Sequence, residues 1–579
     1  MMSDIILEVR NLEISFYSEG VENKAVDNIS FNLSKGEVLG IVGESGSGKS
    51  VTSLAIMQLL QIPPCRIKNG EILFFNDKPI NLLKLNFNEI NEFRGSKIAM
   101  IFQEPMTSLN PVLTSGFQVM ESIIINQKLS KKEAYKKTIE LFKEVELPLP
   151  EEIFNKYPYQ ISGGQKQRVM IAMAISCNPS ILIADEATTA LDVIVQKNIL
   201  LLLKKLQKKY NMSVIFITHD LGIVAEIADN ILVMHKGKIV EKGITKDILQ
   251  NPQHNYTKGL LSCRPSVNFR QKRLTTISDS MKLNDKDQFA CIENVVKQII
   301  ISDEERRIHH EKIYSKEPIL TINNLKVNFT TKKNIFGKPT EYFTAVNNLS
   351  FNVYKGETLG LVGGSGCGKT TLGRAILKLV SSKSGEIVFK GKNLNSLNNS
   401  EMRKMRKNIQ IIFQDPYSSL NPRFTVGQII TEPMIVHKLF KTKKEREIRA
   451  LELLKKVNLE EQHYYRYPHE FSGGQRQRIG IARALALNPE FIICDESVSA
   501  LDVSIQAQIL NLLNDLKQEF NLTYIFISHD LSVVKYMSDR IIVMNHGDIE
   551  EINEADQIYN FPQSEYTKTL INSIPAINS

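Results

Sequence analysis

The feature that most constrains this chain is an internal duplication. Three motifs each occur twice and in the same order: GESGSGKS at 43–50 and GGSGCGKT at 363–370, SGGQKQR from Ser162 and SGGQRQR from Ser472, and ILIADE ending at Glu186 and FIICDE ending at Glu496. A length of 579 residues would by itself suggest about four domains. The repeat instead predicts two large domains of similar structure.

The segment between the copies has the composition of a linker. Residues 263–317 contain many charged side chains and no glycine, so we expect a first domain over 1–262, a linker over 263–317 and a second domain over 318–579. A group of apolar residues in the linker has the spacing of an amphipathic helix, with a short strand as the alternative. These residues are Ile292, Val295, Val296, Ile299 and Ile300.

Composition and charge limit the possible functions. The formal net charge of +9 fits contact with an anionic membrane surface or with nucleotide. The sequence has no long block of Lys and Arg of the kind that binds nucleic acid, so no nucleic acid partner is expected. The richest apolar run, 199–203, is far shorter than the roughly 20 residues that span a bilayer. Together with scattered cysteines and no signal-peptide pattern, this predicts a chain located in the cytoplasm.

Each copy alternates apolar strands with helical segments. The predicted strands are 38–42, 181–184 and 214–218 in the first copy and 359–362 in the second, and polar segments of helical character follow at 105–160 and 416–470. This alternation predicts an α/β fold with a parallel sheet and a helical insertion in each copy.

The glycine motif predicts a phosphate-binding loop. In GxxxxGK[ST] after a buried strand, backbone N–H groups and a lysine bind phosphates, and a hydroxyl lies at Mg²⁺. The predicted nucleotide-binding residues are Gly43, Glu44, Ser45, Gly46, Ser47, Gly48, Lys49 and Ser50 in the first loop, and Gly363, Gly364, Ser365, Gly366, Cys367, Gly368, Lys369 and Thr370 in the second. ATP and Mg²⁺ are therefore the expected cofactors, with Ser50 and Thr370 as metal ligands.

An acidic pair follows a later strand in each copy. A carboxylate at the end of an apolar strand is costly unless it binds a cation, which predicts Asp185 and Asp495 as Mg²⁺ ligands. The adjoining Glu186 and Glu496 are predicted to orient or deprotonate the water that attacks the γ-phosphate. A histidine follows the next strand in each copy and is expected near that phosphate. The candidate catalytic residues are Glu186, His219, Glu496 and His529.

Taken together, these motifs resemble the ATP-binding cassette (ABC) family over nearly everything except the linker. The resemblance implies two tandem P-loop ATPase domains of RecA-like core with a helical subdomain, and it implies that the signature SGGQ of one half closes over the ATP of the other. It further implies roles in nucleotide or metal binding for Gln103, Gln414, Asp192 and Asp502, and for the signature residues Ser162, Gly163, Gly164, Gln165, Ser472, Gly473, Gly474 and Gln475. SGGQ alone would be an ordinary helix cap. The adenine-stacking aromatic of the family falls on Phe16 and Phe329, with a core phenylalanine as the alternative.

Narrower segments resemble the ATPases of peptide and nickel importers. FQEPMTSLNP from Phe102 and FQDPYSSLNP from Phe413 carry this likeness. It implies a subunit at the inner face of the cell membrane that drives separate permease chains, with a substrate-binding protein and peptide as the expected cargo. Nickel, glutathione-like peptides and peptide antibiotics are alternative cargoes. A tandem cassette that acts on the ribosome is the alternative function, but its relatives usually carry a long basic arm between the domains.

Overall fold

The structure is a computed structural model that describes residues 5–18, 20–76, 78–103, 108–188, 191–282, 300–333, 339–499 and 501–575. The chain divides into two compact units. Residues 1–191, 195–261 and 575–579 form the first unit, and residues 192–194 and 262–574 form the second. None of the helices in the described ranges has both the length and the apolar character needed to cross a membrane.

A six-stranded sheet forms the centre of the first unit. Its strands, in spatial order, are Lys238–Ile244, Asn230–His235, Val38–Val42, Ser213–Thr218, Ile181–Asp185 and Ile98–Ile101. All pairings are parallel except that of the first two strands. The three middle strands of the parallel part are buried along their whole length, as expected for apolar runs covered on both faces. Their carboxyl ends meet at one edge, which is where ligands bind in such sheets.

A second, antiparallel sheet and a set of helices complete the first unit. The strands are Val21–Ser34, Ile5–Ser18, Cys65–Phe75 and Pro79–Asn81, in spatial order. The helices are Lys49–Ile56, Phe87–Phe93, Ser115–Gln127, Lys131–Glu144, Pro150–Asn155, Gly163–Ile175, Val193–Tyr210, Leu221–Ile227, Thr245–Gln250 and Asn255–Ser262, with 3₁₀ turns at Leu82–Lys84 and Pro158–Gln160. The predicted helical segment at 105–160 is therefore confirmed where it is described.

The second unit repeats both sheets in the same order. Its central sheet runs Asp548–Glu554, Arg540–Asn545, Thr358–Val362, Thr523–Ile527, Phe491–Asp495 and Ile409–Ile412, and its antiparallel sheet runs Pro339–Tyr354, Pro318–Lys333, Ser384–Phe389 and Lys392–Asn393. The helices are Lys369–Ile376, Asn399–Met405, Pro416–Ser419, Val426–Val436, Lys443–Lys456, Gly473–Leu485, Val503–Phe520, Leu531–Met537, Ala555–Asn560 and Glu565–Asn572, with 3₁₀ turns at Leu394–Ser396, Glu461–Tyr465 and Pro468–Glu470. The duplicated α/β fold predicted from the motifs is confirmed.

Much of the linker packs within the second unit. Leu274 is buried, and its backbone N–H and C=O both bond to the side chain of Asn511, at 2.9 and 2.8 Å. The hydroxyl of Tyr536 also donates to Asn511 Oδ1 at 3.1 Å. The position of Asn511 corresponds to Leu201 in the first copy, which is exposed. The repeats therefore differ where the linker contacts the second one.

The linker also forms the helices Ile277–Lys282 and Asp303–Tyr314, and ion pairs hold the second of these helices. Arg306 pairs with Glu554 at 3.1 Å and contacts Asp556, and Arg270 lies 3.8 Å from the same Asp556 carboxylate. Burial lowers the pKa of Arg270. The apolar residues that predicted a further linker helix lie outside the described residues, except for Ile300, which forms an isolated bridge with Gln271.

Replacing Asn511 with alanine is expected to lower the free energy of unfolding of the second unit by about 2–4 kcal/mol, because two buried backbone groups of Leu274 lose their partner. Chemical denaturation of the full chain measures the change. Asp515→Asn on the same helix is the matched control, because it removes the exposed pair with Arg273, which is worth less than about 1 kcal/mol. Equal effects of the two variants would contradict a buried docking contact.

Candidate functional site

The first phosphate loop joins the central strand Val38–Val42 to the helix Lys49–Ile56. Lys49 is buried, and its Nζ donates to the carbonyl oxygens of Gly43 at 2.7 Å and Glu44 at 2.8 Å. Gly48 caps the helix with φ of +102°, a conformation that favours glycine. The loop therefore presents the N-terminus of a helix and holds its lysine at the base of the cradle.

The second loop has the same geometry, between Thr358–Val362 and Lys369–Ile376. The Nζ of Lys369 donates to the carbonyl oxygens of Gly363 and Gly364 at 2.8 and 2.9 Å. The predicted loop residues of each copy thus lie together on one strand–turn–helix unit.

The loop hydroxyls bond to the aspartates that end the neighbouring strands. Ser50 Oγ donates to Asp185 Oδ1 at 3.1 Å, and Thr370 Oγ1 donates to Asp495 Oδ1 at 2.9 Å. Burial raises the pKa of Asp185 to about 6, against the opposing hydrogen bond from Ser50, and burial also raises the pKa of Asp495. Each aspartate is therefore a buried carboxylate whose negative charge is poorly compensated by the neighbouring protein groups, as expected of a group that binds a cation.

The adjoining glutamates are held by two side chains each. Gln103 Nε2 donates to Glu186 Oε2 at 2.9 Å, and His219 Nδ1 lies 3.4 Å from Glu186 Oε1. In the second copy Gln414 Nε2 donates to Glu496 Oε2 at 2.6 Å, and His529 Nδ1 lies 3.7 Å from the same oxygen. The predicted glutamine, glutamate and histidine of each copy therefore converge from three different strand ends.

Both glutamates have an unusual backbone conformation. Glu186 has φ of +48° and Glu496 has φ of +46°, a left-handed conformation that is uncommon outside glycine and costs about 1–3 kcal/mol. Their N–H groups bond to the carbonyls of Ile217 and Ile527 on the neighbouring strands. Burial raises the pKa of Glu496, but His529 and Lys369 outweigh burial and hold it below the usual value. Each carboxylate is thus fixed at a strand end in a strained turn, and that of Glu496 is kept in its charged form.

The signature sequences lie elsewhere, each in the first turn of a helix. Ser162 caps Gly163–Ile175 and Ser472 caps Gly473–Leu485, each in a reciprocal capping box with Gln165 or Gln475. Their second glycines admit the next helix closely, because a Cβ on Gly164 would lie 2.8 Å from Val195 and one on Gly474 would lie 2.4 Å from Ile505. In both copies the serine of SGGQ therefore caps the N-terminus of a helix, which is the ordinary role of such a residue.

Two phenylalanines and two aspartates remain among the predicted residues. Phe16 is partly buried against the core of the antiparallel sheet, whereas Phe329 is 41% exposed on the strand Pro318–Lys333. Asp192 and Asp502 directly precede the helices Val193–Tyr210 and Val503–Phe520. The roles of these four residues in nucleotide binding stay predictions.

Two residues at the loops were missed in the sequence. The hydroxyl of Tyr256 accepts the N–H of Glu44 at 3.0 Å, and that of Tyr566 accepts the N–H of Gly364 at 2.8 Å. Their signal is a further repeat, NYTKGLL and EYTKTLI, at the same offset as the signature motif.

The donor set of each site fits a hard cation such as Mg²⁺. Within the described ranges, no group of three or more His, Cys, Asp and Glu side chains is placed to hold a metal ion. Instead one aspartate and one hydroxyl lie together beside the phosphate loop in each copy. Mg²⁺ in phosphate sites is typically held by one or two carboxylates together with substrate phosphates and water, which matches this arrangement.

Comparison with known proteins agrees with this geometry. The model of the "ABC transporter" family matches residues 26–189 and 346–499, and the model described as "Oligopeptide/dipeptide transporter, C-terminal region" matches 240–291 and 551–579. The chain is 46% identical to the glutathione import ATP-binding protein GsiA of Pectobacterium atrosepticum over 572 residues, and 46% identical to that of Escherichia coli K12 over 577 residues. Each alignment covers 98% of this chain and 89% of the relative.

A solved bacterial ABC transporter cassette is 31% identical, with a TM-score of 0.37, and the match covers 41% of this chain and 98% of that one. The sequence matches extend over both copies and include the C-terminal region of each. The chain therefore belongs to the ABC transporter family, as an ATP-binding protein of the oligopeptide/dipeptide type that carries two cassettes in one polypeptide.

Proposed function

We propose that this chain is the ATP-hydrolysing subunit of an importer for glutathione or similar short peptides, and that it works at the inner face of the cell membrane on permease subunits carried by other chains. The observation that carries the proposal is the 46% identity, over 98% of the chain, to relatives named as glutathione import ATP-binding proteins. The second support is the oligopeptide/dipeptide C-terminal region, which occurs once after each cassette.

Both copies contain a full set of groups for ATP hydrolysis. The ammonium groups of Lys49 and Lys369 bind the β and γ phosphates, and the N–H groups of the glycine loops bind phosphate oxygens as well. Glu186 and Glu496 orient the attacking water and accept its proton, and Gln103 and Gln414 hold these carboxylates in place. Because neither copy lacks one of these groups, we expect two sites that hydrolyse ATP.

The metal would be held by the hydroxyl and carboxylate beside each loop, Ser50 with Asp185 and Thr370 with Asp495. Gln103 and Gln414 are proposed to contribute to the same sites. Mg²⁺ bound there would neutralise charge on the phosphates. The pKa of Asp185, which burial raises to about 6, supports this assignment. A bound cation stabilises the charged form of a buried carboxylate more than that of an exposed one.

Closure of each phosphate loop by the signature sequence of the other half stays a prediction from the family resemblance. In that scheme ATP favours the closed state of the two halves, and hydrolysis removes the preference. The permease would follow this cycle by changing the side of the membrane to which it opens.

Uptake of labelled glutathione tests the proposal. Cells that lack the chain are expected to lose uptake, and the unchanged chain is expected to restore it, whereas a chain carrying both Glu186→Gln and Glu496→Gln is not. Affinity purification from membranes should recover permease subunits. Uptake that is independent of the chain, or recovery of ribosomal particles in place of permeases, would contradict the proposed function. Competition by unlabelled dipeptides then defines the range of cargo.

A further inference from the structure

In each unit, a tyrosine of the C-terminal region contacts the phosphate loop. The hydroxyl of Tyr256 accepts the N–H of Glu44, and the Nζ of Lys49 donates to the carbonyl of Gly43. This N–H and this carbonyl belong to one peptide unit, the one that joins residues 43 and 44. The tyrosine and the lysine therefore hold opposite ends of the same peptide plane.

The second copy repeats the arrangement. The hydroxyl of Tyr566 accepts the N–H of Gly364 at 2.8 Å, while Lys369 Nζ donates to the carbonyl of Gly363 at 2.8 Å. A Cβ on Gly364 would lie 3.1 Å from that hydroxyl. The same contact thus occurs twice, once in each unit.

The segment that leads into each tyrosine is held by hydrogen bonds from its backbone N–H groups to a glutamate side chain. In the first unit the carboxylate of Glu241 accepts the N–H groups of Gln253 and His254, and His254 Nδ1 accepts the N–H of Tyr256. The ring of Tyr256 is fully buried and packs against His235, with 4.1 Å between ring centroids. The position of the hydroxyl is therefore fixed through the strand Lys238–Ile244.

The second unit uses different side chains for the same purpose. The carboxylate of Glu551 accepts the N–H groups of Gln563 and Ser564, and Ser564 Oγ accepts the N–H of Tyr566. A serine thus replaces the histidine, but the order of contacts from strand to phosphate loop is unchanged.

From these contacts we infer that Tyr256 and Tyr566 are positioning residues of the two nucleotide sites. By accepting the N–H of the second loop residue, each hydroxyl keeps the first peptide of the loop from turning over. The carbonyl on that peptide then stays directed at the lysine, and the following N–H groups stay directed into the cradle. The inference rests on the proposed role of the glycine loops in binding ATP.

Tyr256→Phe and Tyr566→Phe test the inference, because each removes one oxygen and keeps the ring. Each is measured in a full-length chain in which the lysine of the other site is changed, Lys369→Ala for Tyr256 and Lys49→Ala for Tyr566. The binding of fluorescent ADP and ATP analogues then reports a single site. We expect affinity for both nucleotides to fall about 3- to 10-fold, which corresponds to the loss of one net hydrogen bond.

A change of KM for ATP with kcat altered less than twofold is the second expected result, since the tyrosine contacts no reacting atom. Thr257→Val is the matched control for the first site. Thr257 is buried beside Tyr256, and its hydroxyl has no hydrogen-bond partner among the described residues. The control should leave nucleotide affinity unchanged.

The outcomes separate the inference from the proposal beneath it. Unchanged affinity in both phenylalanine variants, with affinity lost in the lysine variants, would overturn the positioning role alone. Unchanged binding in a chain carrying both Lys49→Ala and Lys369→Ala would overturn the phosphate loops themselves. A lower melting temperature with unchanged affinity also counts against the inference, because a merely structural hydroxyl would behave in that way.

Discussion

Changing Glu186 and Glu496 together to glutamine is expected to lower ATP turnover by about 10²- to 10⁴-fold, the usual contribution of a general base. Glutamine has the size of glutamate and keeps a polar contact with Gln103 or Gln414, so the strained turn should persist. It has no carboxylate to take a proton from water. Nucleotide binding should be intact, because the loop lysines and N–H groups are untouched.

Phosphate release at saturating ATP measures the loss, and titration with a fluorescent ATP analogue measures binding. The matched control changes two exposed carboxylates, Glu140 and Glu461, to glutamine, and should hydrolyse ATP at the original rate. The two single variants measure how much each site contributes to ATP turnover, and two equivalent sites would show similar losses. Hydrolysis that persists in the double variant would contradict the assigned role of the glutamates.

Much of the fold was predictable because the central strands are short apolar runs. Val38–Val42 and Thr358–Val362 are buried at every residue. A strand that is covered on both faces is apolar throughout, so a short uninterrupted apolar run indicates such a strand. The repeat constrains the remainder of the fold, since motifs found twice in the same order limit both copies to one architecture.

The assembly of the site was predictable as a set of residues but not as a set of contacts. That Glu186 lies near a phosphate loop followed from its position at a strand end. Its bonds to Gln103 and His219 join residues 83 and 33 positions apart, and its left-handed backbone depends on the turn that leaves the strand. Neither is encoded by local spacing.

Tyr256 illustrates the other limit. In the sequence it lies on a short amphipathic helix, where a tyrosine ordinarily fills the core. Its contact with Glu44 spans 212 positions and depends on the carboxylate of Glu241 holding the start of that helix. Asn511 was missed for a similar reason, because its partner Leu274 lies in a linker whose composition gives little indication of docking.

The phosphate loops also depend on glycine at the helix caps, and substitution there should be severe. Gly48 has φ of +102° and Gly368 has φ of +107°. A Cβ would lie 2.6 Å from the carbonyl oxygen of Ala25 in the first copy and 2.1 Å from that of Ala345 in the second. Both oxygens belong to strand backbone, which cannot yield as a flexible side chain would, so the loop itself has to move.

Gly48→Ala or Gly368→Ala is therefore expected to weaken nucleotide binding at its own site by at least about 30-fold. The free loop would relieve this left-handed strain and overpacking, about 1–3 kcal/mol each, by moving, and ATP binding would have to reverse the movement. At least about 2 kcal/mol of binding free energy would therefore be lost, which corresponds to that factor. Equilibrium binding of ATP to each site measures it, with the lysine of the other site changed to alanine.

Gly356→Ala is the control that separates strain from steric conflict. Gly356 also has a positive φ, +86°, but a Cβ there would meet no atom within 4 Å. This variant should lose about 1–2 kcal/mol of stability, the cost of left-handed backbone alone, and keep its affinity for ATP. If Gly368→Ala bound ATP as tightly as Gly356→Ala does, the loop would have room to shift without displacing its N–H groups. The close approach to Ala345 would then not be what shapes the nucleotide site.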